Sequence, residues 1–276
     1  MSRNQDRLGG AQQPDTSPPP QQGGGGFSFV VPTEFVDLPS QGRFYAQGHP
    51  LHGQDSIEIK QMTAKEEDIL TSRTLLKKGV AIDRLLQSLI VDESINPNSL
   101  LIGDRNAIII ASRVSGYGNE YATNIVCPAC DTKQKYSFDL NAAQIQGGAF
   151  KENLGVTDNG DGTFTCILPK SEVTVVARLL TGNEEKKVIN IEKSNNVIST
   201  QLQNIIVSVN GDTTRQAINY VATNIPSFDS RHLRMVLKMA TPNVDLTQEF
   251  SCEECGHTQE MEVPLTADFF WPDRRV

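Results

Sequence analysis

Along this chain the apolar positions change period several times, and each change predicts an element. Phe29-Val30-Val31 and Phe35-Val36-Asp37-Leu38 are short apolar runs that read as strands, and Ile57-Glu58-Ile59-Lys60 alternates as a half-buried strand does. Between them, Pro39-Ser40-Gln41-Gly42 supplies turn chemistry, with a glycine free to take a positive φ. From Thr63 the period lengthens. Thr63 and Glu66 match a capping box, Ile69, Leu70 and Leu76 follow at helical spacing, and Gly79 is a C-terminal stop. A second helix over about 80–91 puts Ile82, Leu85, Leu86, Leu89 and Ile90 on one face. A third, over about 104–114, carries Ile108-Ile109-Ile110, which predicts burial on more than one side before Gly116-Tyr117-Gly118 stops it.

Beyond Tyr121 the pattern is strand, cysteine knuckle, strand: Thr123 to Val126, Cys127-Pro128-Ala129-Cys130, then Gln134 to Phe138. Thr163 to Leu168 and Glu172 to Leu179 flank the turn Pro169-Lys170-Ser171. Residues 183–240 read as helical, with starts at Asn183, Asp212 and Ser227 or Asp229, until Thr241-Pro242-Asn243 breaks the run. A last hairpin surrounds Cys252-Glu253-Glu254-Cys255-Gly256, ahead of an aromatic C-terminal tail over 267–276 with Phe269-Phe270-Trp271. Residues 1–26 are Gln, Pro, Gly and Ser with almost nothing apolar to bury, which predicts a disordered tail, either a plain leader or a segment that orders on a partner. The expected organisation is that tail, strands with a three-helix region over 27–120, two half-ribbons at 121–140 and 248–266, and an inserted region over 141–247. The fold class is α+β: a helical core with β-hairpins and a split four-cysteine zinc ribbon interrupted by a large insertion.

Charge narrows the partners. The net charge is −8, and no long Lys/Arg run offers the positive stripe that a nucleic-acid backbone needs. No apolar run reaches the ~18 residues that span a bilayer, and the start has no apolar stretch of the signal-peptide kind, so a cytoplasmic setting is expected. Five cysteines there argue for a metal or free thiols over a disulfide framework.

The cysteines carry the strongest chemical signal. Cys127 and Cys130, and Cys252 and Cys255, each have the two-residue spacing that lets both sulfurs of a tight turn point at one ion. Two such knuckles supply four thiolates for a tetrahedral zinc. The pairs are far apart, since Cys252 follows Cys130 by 122 positions. Closing a long loop costs only logarithmically more than closing a short one, so an insert that folds by itself is compatible with one shared site. Four thiolates leave no open coordination position, which makes the expected zinc structural. His257 reads as an exposed hairpin residue and Cys166 as a small core residue.

Other patterns stay local. Asp158-Asn159-Gly160-Asp161-Gly162 lacks the alternating acids and the bidentate Glu of a calcium loop and reads as a glycine-rich turn. No phosphate-cradling loop or nucleophile elbow is present, and His49, His52, His232 and His257 are scattered, with His49 and His52 in a loop that reads as exposed. The chain is therefore expected not to be an enzyme, with no catalytic residues and no bound organic cofactor. Gly103-Asp104-Arg105-Asn106 reads as a helix start or a binding motif, and Gly116 to Tyr121 as a helix stop or a recognition surface.

Several stretches together resemble the T4-type myovirus baseplate hub assembly family. They are Leu38-Pro39-Ser40-Gln41-Gly42-Arg43-Phe44-Tyr45, Met62 to Leu70, Leu75-Leu76-Lys77-Lys78-Gly79, Gly103-Asp104-Arg105-Asn106, and Tyr117-Gly118-Asn119-Glu120-Tyr121 leading into Cys127-Pro128-Ala129-Cys130. Their order over about 38–140, with the second cysteine pair, carries the resemblance. It implies a protein of contractile-tail phages that assists assembly of the central baseplate hub, as a hub subunit or hub chaperone. Its partners would be baseplate hub or tail proteins, met in the host cytoplasm during assembly or in the virion. The alternatives are a permanent structural component of the hub and a zinc-ribbon nucleic-acid adaptor. Within the helical region, Lys65, Arg73 and Arg105 are the expected contact residues, and Leu86 and Ile109 the core.

Overall fold

The N-terminal hairpin forms because its two strands share one apolar face. In β1 (Thr33–Asp37) and β2 (Ser56–Lys60) the antiparallel register sets Val36 opposite Ile57. With Ile59, these side chains are buried, while Phe35 on the other face is 72% exposed. The connecting loop turns inward, burying Leu38, Phe44, Tyr45 and Leu51. Gly42 in that loop has φ 67°, and a Cβ there would lie 2.4 Å from Leu51 O, so the turn requires glycine. In the computed structural model, residues 30–148, 155–185, 196–264 and 269–270 are described. The expected tail over 1–26, the strand residue Phe29, and the C-terminal tail apart from Phe269 and Phe270, Trp271 included, lie outside them.

The capping box at Thr63 is complete: Thr63 N donates to Glu66 Oε2 at 2.9 Å, and the Thr63 side chain accepts in return. The helical run to Gly79 is two helices, α1 (Ala64–Thr71) and α2 (Arg73–Lys78). Ser72 divides them, ending α1 in extended backbone and accepting from Leu75 N to start α2. Gly79 closes α2 in the left-handed region as expected. α3 (Ala81–Leu89) turns Leu85, Leu86 and Leu89 into the core. α4 (Ile102–Tyr117) is longer than the pattern predicts at both ends, and Gly118 stops it. Its Ile108 and Ile110 are buried, with Ile109 packed partly against the core.

α4 is the element against which distant segments close. β3 (Glu120–Val126) and β4 (Lys133–Asp139) form a hairpin, a short turn at Leu140–Ala142 follows, and β5 (Gln144–Gln146) leads away. β6 (Val156–Asp158), β7 (Thr163–Ile167), β8 (Thr174–Arg178) and β9 (Ile206–Val209) make an antiparallel sheet in that order, with Phe164, Cys166, Val175 and Ala177 fully buried. α5 (Val197–Ile205) runs directly into β9. Then come α6 (Arg215–Asn224), α7 (Ser227–Ala240), β10 (Asn243–Asp245), β11 (Thr247–Ser251) and β12 (Thr258–Glu262). β10 pairs with β5, Asn243 opposite Gln146, so the chain returns beside the point from which it left.

Two local expectations are corrected. Residues 183–240 are not all helical: Ile206 to Val209 extend as β9, because the edge of β8 accepts a segment with three β-branched residues, Ile206, Val207 and Val209, and buries most of it. α6 starts after Thr214, whose hydroxyl accepts from Ala217 N, and not at Asp212, which accepts from Thr214 N in the preceding turn. No helix among the described residues is long and apolar enough to cross a membrane.

The packing of α4 on the helix-breaking segment Thr241-Pro242-Asn243 gives a first prediction. A Cβ at Gly103 would lie 1.8 Å from Pro242 O, a backbone atom that cannot swing aside. Gly103→Ala, which in an open helix would stabilise by up to ~1 kcal/mol, is expected to destabilise by about 3 kcal/mol. A urea titration with unchanged midpoint would refute this close approach.

Candidate metal centre

The two knuckles have the same backbone. Cys127 N donates to Thr132 O and Asp131 N to Cys127 O, both at 2.9 Å; Cys252 N donates to His257 O and Gly256 N to Cys252 O, at 2.9 and 3.0 Å. Each needs a left-handed residue just after its second cysteine: Asp131 (φ 54°) in one and Gly256 (φ 69°) in the other. Aspartate is among the few side chains that tolerate this region.

Side chains between the hairpins bring the knuckles together. Gln248 Nε2 donates to Asp139 O at 2.8 Å while its Oε1 accepts from Asp139 N, and Tyr136 OH donates to Glu249 O at 2.9 Å. Gln134 donates to Ser251 O and accepts from Glu253 N, and Tyr136 meets Phe250 edge-on with centroids 5.1 Å apart. Consequently all four sulfurs lie within 4.8 Å of one another, Cys127 to Cys255 and Cys130 to Cys252 at 3.8 Å. A tetrahedral metal with bonds to sulfur of ~2.3 Å sets sulfurs roughly 3.8 Å apart, so the donor set and spacing fit one four-coordinate soft metal ion. Cys127 and Cys252 are buried and Cys130 and Cys255 exposed. The chemistry is that of a pin: every ligand position belongs to the protein.

The electrostatics agree with such a cluster. Hydrogen bonding with Thr132 pushes the Cys130 thiol down to about 6. At Cys255 the His257 amide favours the thiolate, yet hydrogen bonding with Cys130 pushes the thiol up to about 12. His257 stays outside the set, with its Nε2 3.4 Å from Gln259 Oε1. Cys166 is remote in the β6–β9 sheet, where burial first and then Asp229 push its thiol up to about 11.

The other singled-out residues are internal fasteners. Asp104 is fully buried and accepts from Ser40 N (3.0 Å), Ser40 Oγ (2.6 Å) and Tyr45 OH (2.7 Å). Arg105, expected as an exposed contact, is 5% exposed; it donates to Pro97 O at 2.9 Å and pairs with Asp83 at 3.2 Å and Glu185 at 3.6 Å. This corrects the contact expectation: the guanidinium crosslinks the α3–α4 region. His49 is half-buried, stacked on Tyr45 and within 2.9 Å of Ser99 Oγ, and burial lowers its imidazole below the ordinary range. The acids of the 158–162 turn accept from their own loop, Asp158 from Gly160 N and Asp161 from Thr163 N. Arg113 is missed by the sequence pattern. It is fully buried and donates to the carbonyls of Phe269 (2.7 Å), Gly118 (2.6 Å) and Glu120 (3.1 Å), so it ties the buried Phe269-Phe270 pair to the end of α4.

The Ser40–Tyr45, Asp104–Arg105 and Gly118–Tyr121 stretches therefore meet through α4. Neither a curated protein nor a solved structure matches the chain. A family model does, over residues 32–271, which takes in both knuckles and every one of these fasteners. The chain belongs to the family described as the T4 bacteriophage base plate protein.

Proposed function

We propose that this chain is a non-enzymatic protein that assists assembly of the central baseplate hub through protein–protein contacts, on a scaffold pinned by one structural zinc. The family match carries the reading, since it spans the hairpin, the helices and both knuckles. Zinc is favoured by four cysteine sulfurs at tetrahedral spacing. A non-catalytic role is supported by the closed ligand set and by the use of Asp104, Arg105 and Arg113 in internal bonds. The acidic balance argues against nucleic acid as the main partner. Assembly would take place in the host cytoplasm.

The family description names a base plate protein, which favours a second reading: the chain remains in the tail as a structural subunit. Mass spectrometry of purified virions separates the two. Stoichiometric retention supports the subunit, and loss from virions of a chain that co-purifies with hub proteins during infection supports the assembly factor. Failure to co-purify with any baseplate protein refutes both.

Lys65 and Arg73 are exposed on the α1–α2 pair and remain available for contact. Reversal of both to glutamate is expected to weaken co-purification with hub proteins while changing stability by no more than about 0.5 kcal/mol. Unchanged capture by the double reversal would remove this face from the contact surface.

A further inference from the structure

β1 has one edge open among the described residues. Among the described residues it pairs only with β2, and the bonds flanking that ladder fix its parity: Gln61 N donates to Pro32 O at 2.9 Å and Leu38 N to Asp55 O at 2.7 Å. Even-numbered residues thus bond β2, and the N–H and C=O groups of Thr33, Phe35 and Asp37 point to the open side. Beside this edge lies a groove of about 390 Å³ between β1, α4 and β5, with Ile110, Ala111, Val114, Ile145 and Val244 in its wall. Ile145 is 51% exposed. A two-stranded sheet with an open edge against an apolar trough is a template for one more strand.

The charge of the groove selects the occupant. Its charged lining residues are both acids, Glu34 and Asp37. Glu34 Oε1 is buried with no hydrogen-bond partner among the described residues, an arrangement that costs free energy until a donor arrives. A second copy of this chain would bring the same two acids, on a protein of net charge −8, to the same place.

We propose that the open edge of β1 and its adjoining groove bind an extended basic segment of another baseplate protein by strand addition. The backbone of the segment pairs with Thr33, Phe35 and Asp37, its alternate aliphatic side chains enter the trough, and a lysine or arginine reaches Glu34. The inference rests on the baseplate-assembly reading and names the kind of partner that this reading requires.

The test probes the purified full chain with short overlapping peptides covering the other baseplate proteins of the same phage, then measures the best binder by fluorescence anisotropy. Expected binders alternate aliphatic and polar positions and carry a basic residue. Phe35→Pro removes one outward N–H without touching the β2 ladder and should weaken binding about tenfold. Glu34→Gln keeps shape and removes charge; it should weaken binding and flatten its salt dependence, and it remains decisive if the proline variant misfolds by circular dichroism. Binding that neither variant changes, binding of acidic peptides only, or no bound peptide overturns the proposal. So does self-association that Phe35→Pro abolishes. If any of these occurs while the chain still co-purifies with baseplate proteins, strand addition alone has failed; if no baseplate protein co-purifies, the assembly reading has failed first.

Discussion

Replacing Cys127 and Cys252 together with serine is expected to release the proposed zinc and to produce the largest loss of stability of any variant described for this protein. The two residues are the buried members of the four-cysteine cluster, one from each knuckle, so the pair of changes breaks the proposed site from both sides. Apparent binding energies of structural zinc are about 10–16 kcal/mol, and because the site forms only in the folded chain this energy is folding energy. The β5–β10 ladder and the Gln248, Tyr136 and Phe250 contacts still hold the hairpins together, so only part is lost, about 5 kcal/mol. Elemental analysis should find about one zinc per wild-type chain and none in the variant, and a chelator should lower the wild-type melting temperature towards that of the variant. A wild-type chain with no bound metal and a melting temperature shared with the variant would sink the zinc reading. Iron in place of zinc would replace it.

Asp104→Ala should be the most damaging single change away from the cysteines. It removes the common acceptor of Ser40 N, Ser40 Oγ and Tyr45 OH and leaves three buried donors with no partner. A cost of about 3–5 kcal/mol follows from breaking a buried charged network on one side. Tyr45→Phe is the graded comparison. It deprives the carboxylate of one bond and Leu101 N of its acceptor, for about 1–2 kcal/mol. Equal losses for the two variants would mean that packing of the loop, not the carboxylate, holds it to α4. Burial raises the Asp104 carboxyl despite its bonds. A raised acid stabilises the fold while protonated, so that contribution is present at low pH and lost as pH rises through the folded-state value. Asp104→Asn cannot ionise, and its stability should be flatter than that of the wild type above pH ~4.

What was legible in the sequence is what short-range physics controls. The capping box at Thr63, the left-handed stop at Gly79, the amphipathic face of α3 and the two knuckles all depend on residues within a few positions of one another. Their signals survive without knowledge of the rest of the chain. The pairing of Cys127 and Cys130 with Cys252 and Cys255 was inferable from ligand count alone, because zinc needs four ligands and each knuckle has two.

The tertiary structure decided the rest. Arg105 has the composition of a surface residue, and only the convergence of Asp83, Pro97 and Glu185 around it makes its burial tolerable. Arg113 is satisfied by carbonyls as distant as Phe269, which no local pattern encodes. Ile206 to Val209 are apolar enough for a helix end or a strand, and the edge of β8 chose strand. The same holds for β1, whose short apolar run predicts a strand but not that, among the described residues, one edge stays open beside α4 and β5. Local bonds fix an element's type within one turn or one hairpin. Burial of a charge, and the fate of an edge, depend on groups far away in the chain, and only their meeting in space gives them partners or leaves them without.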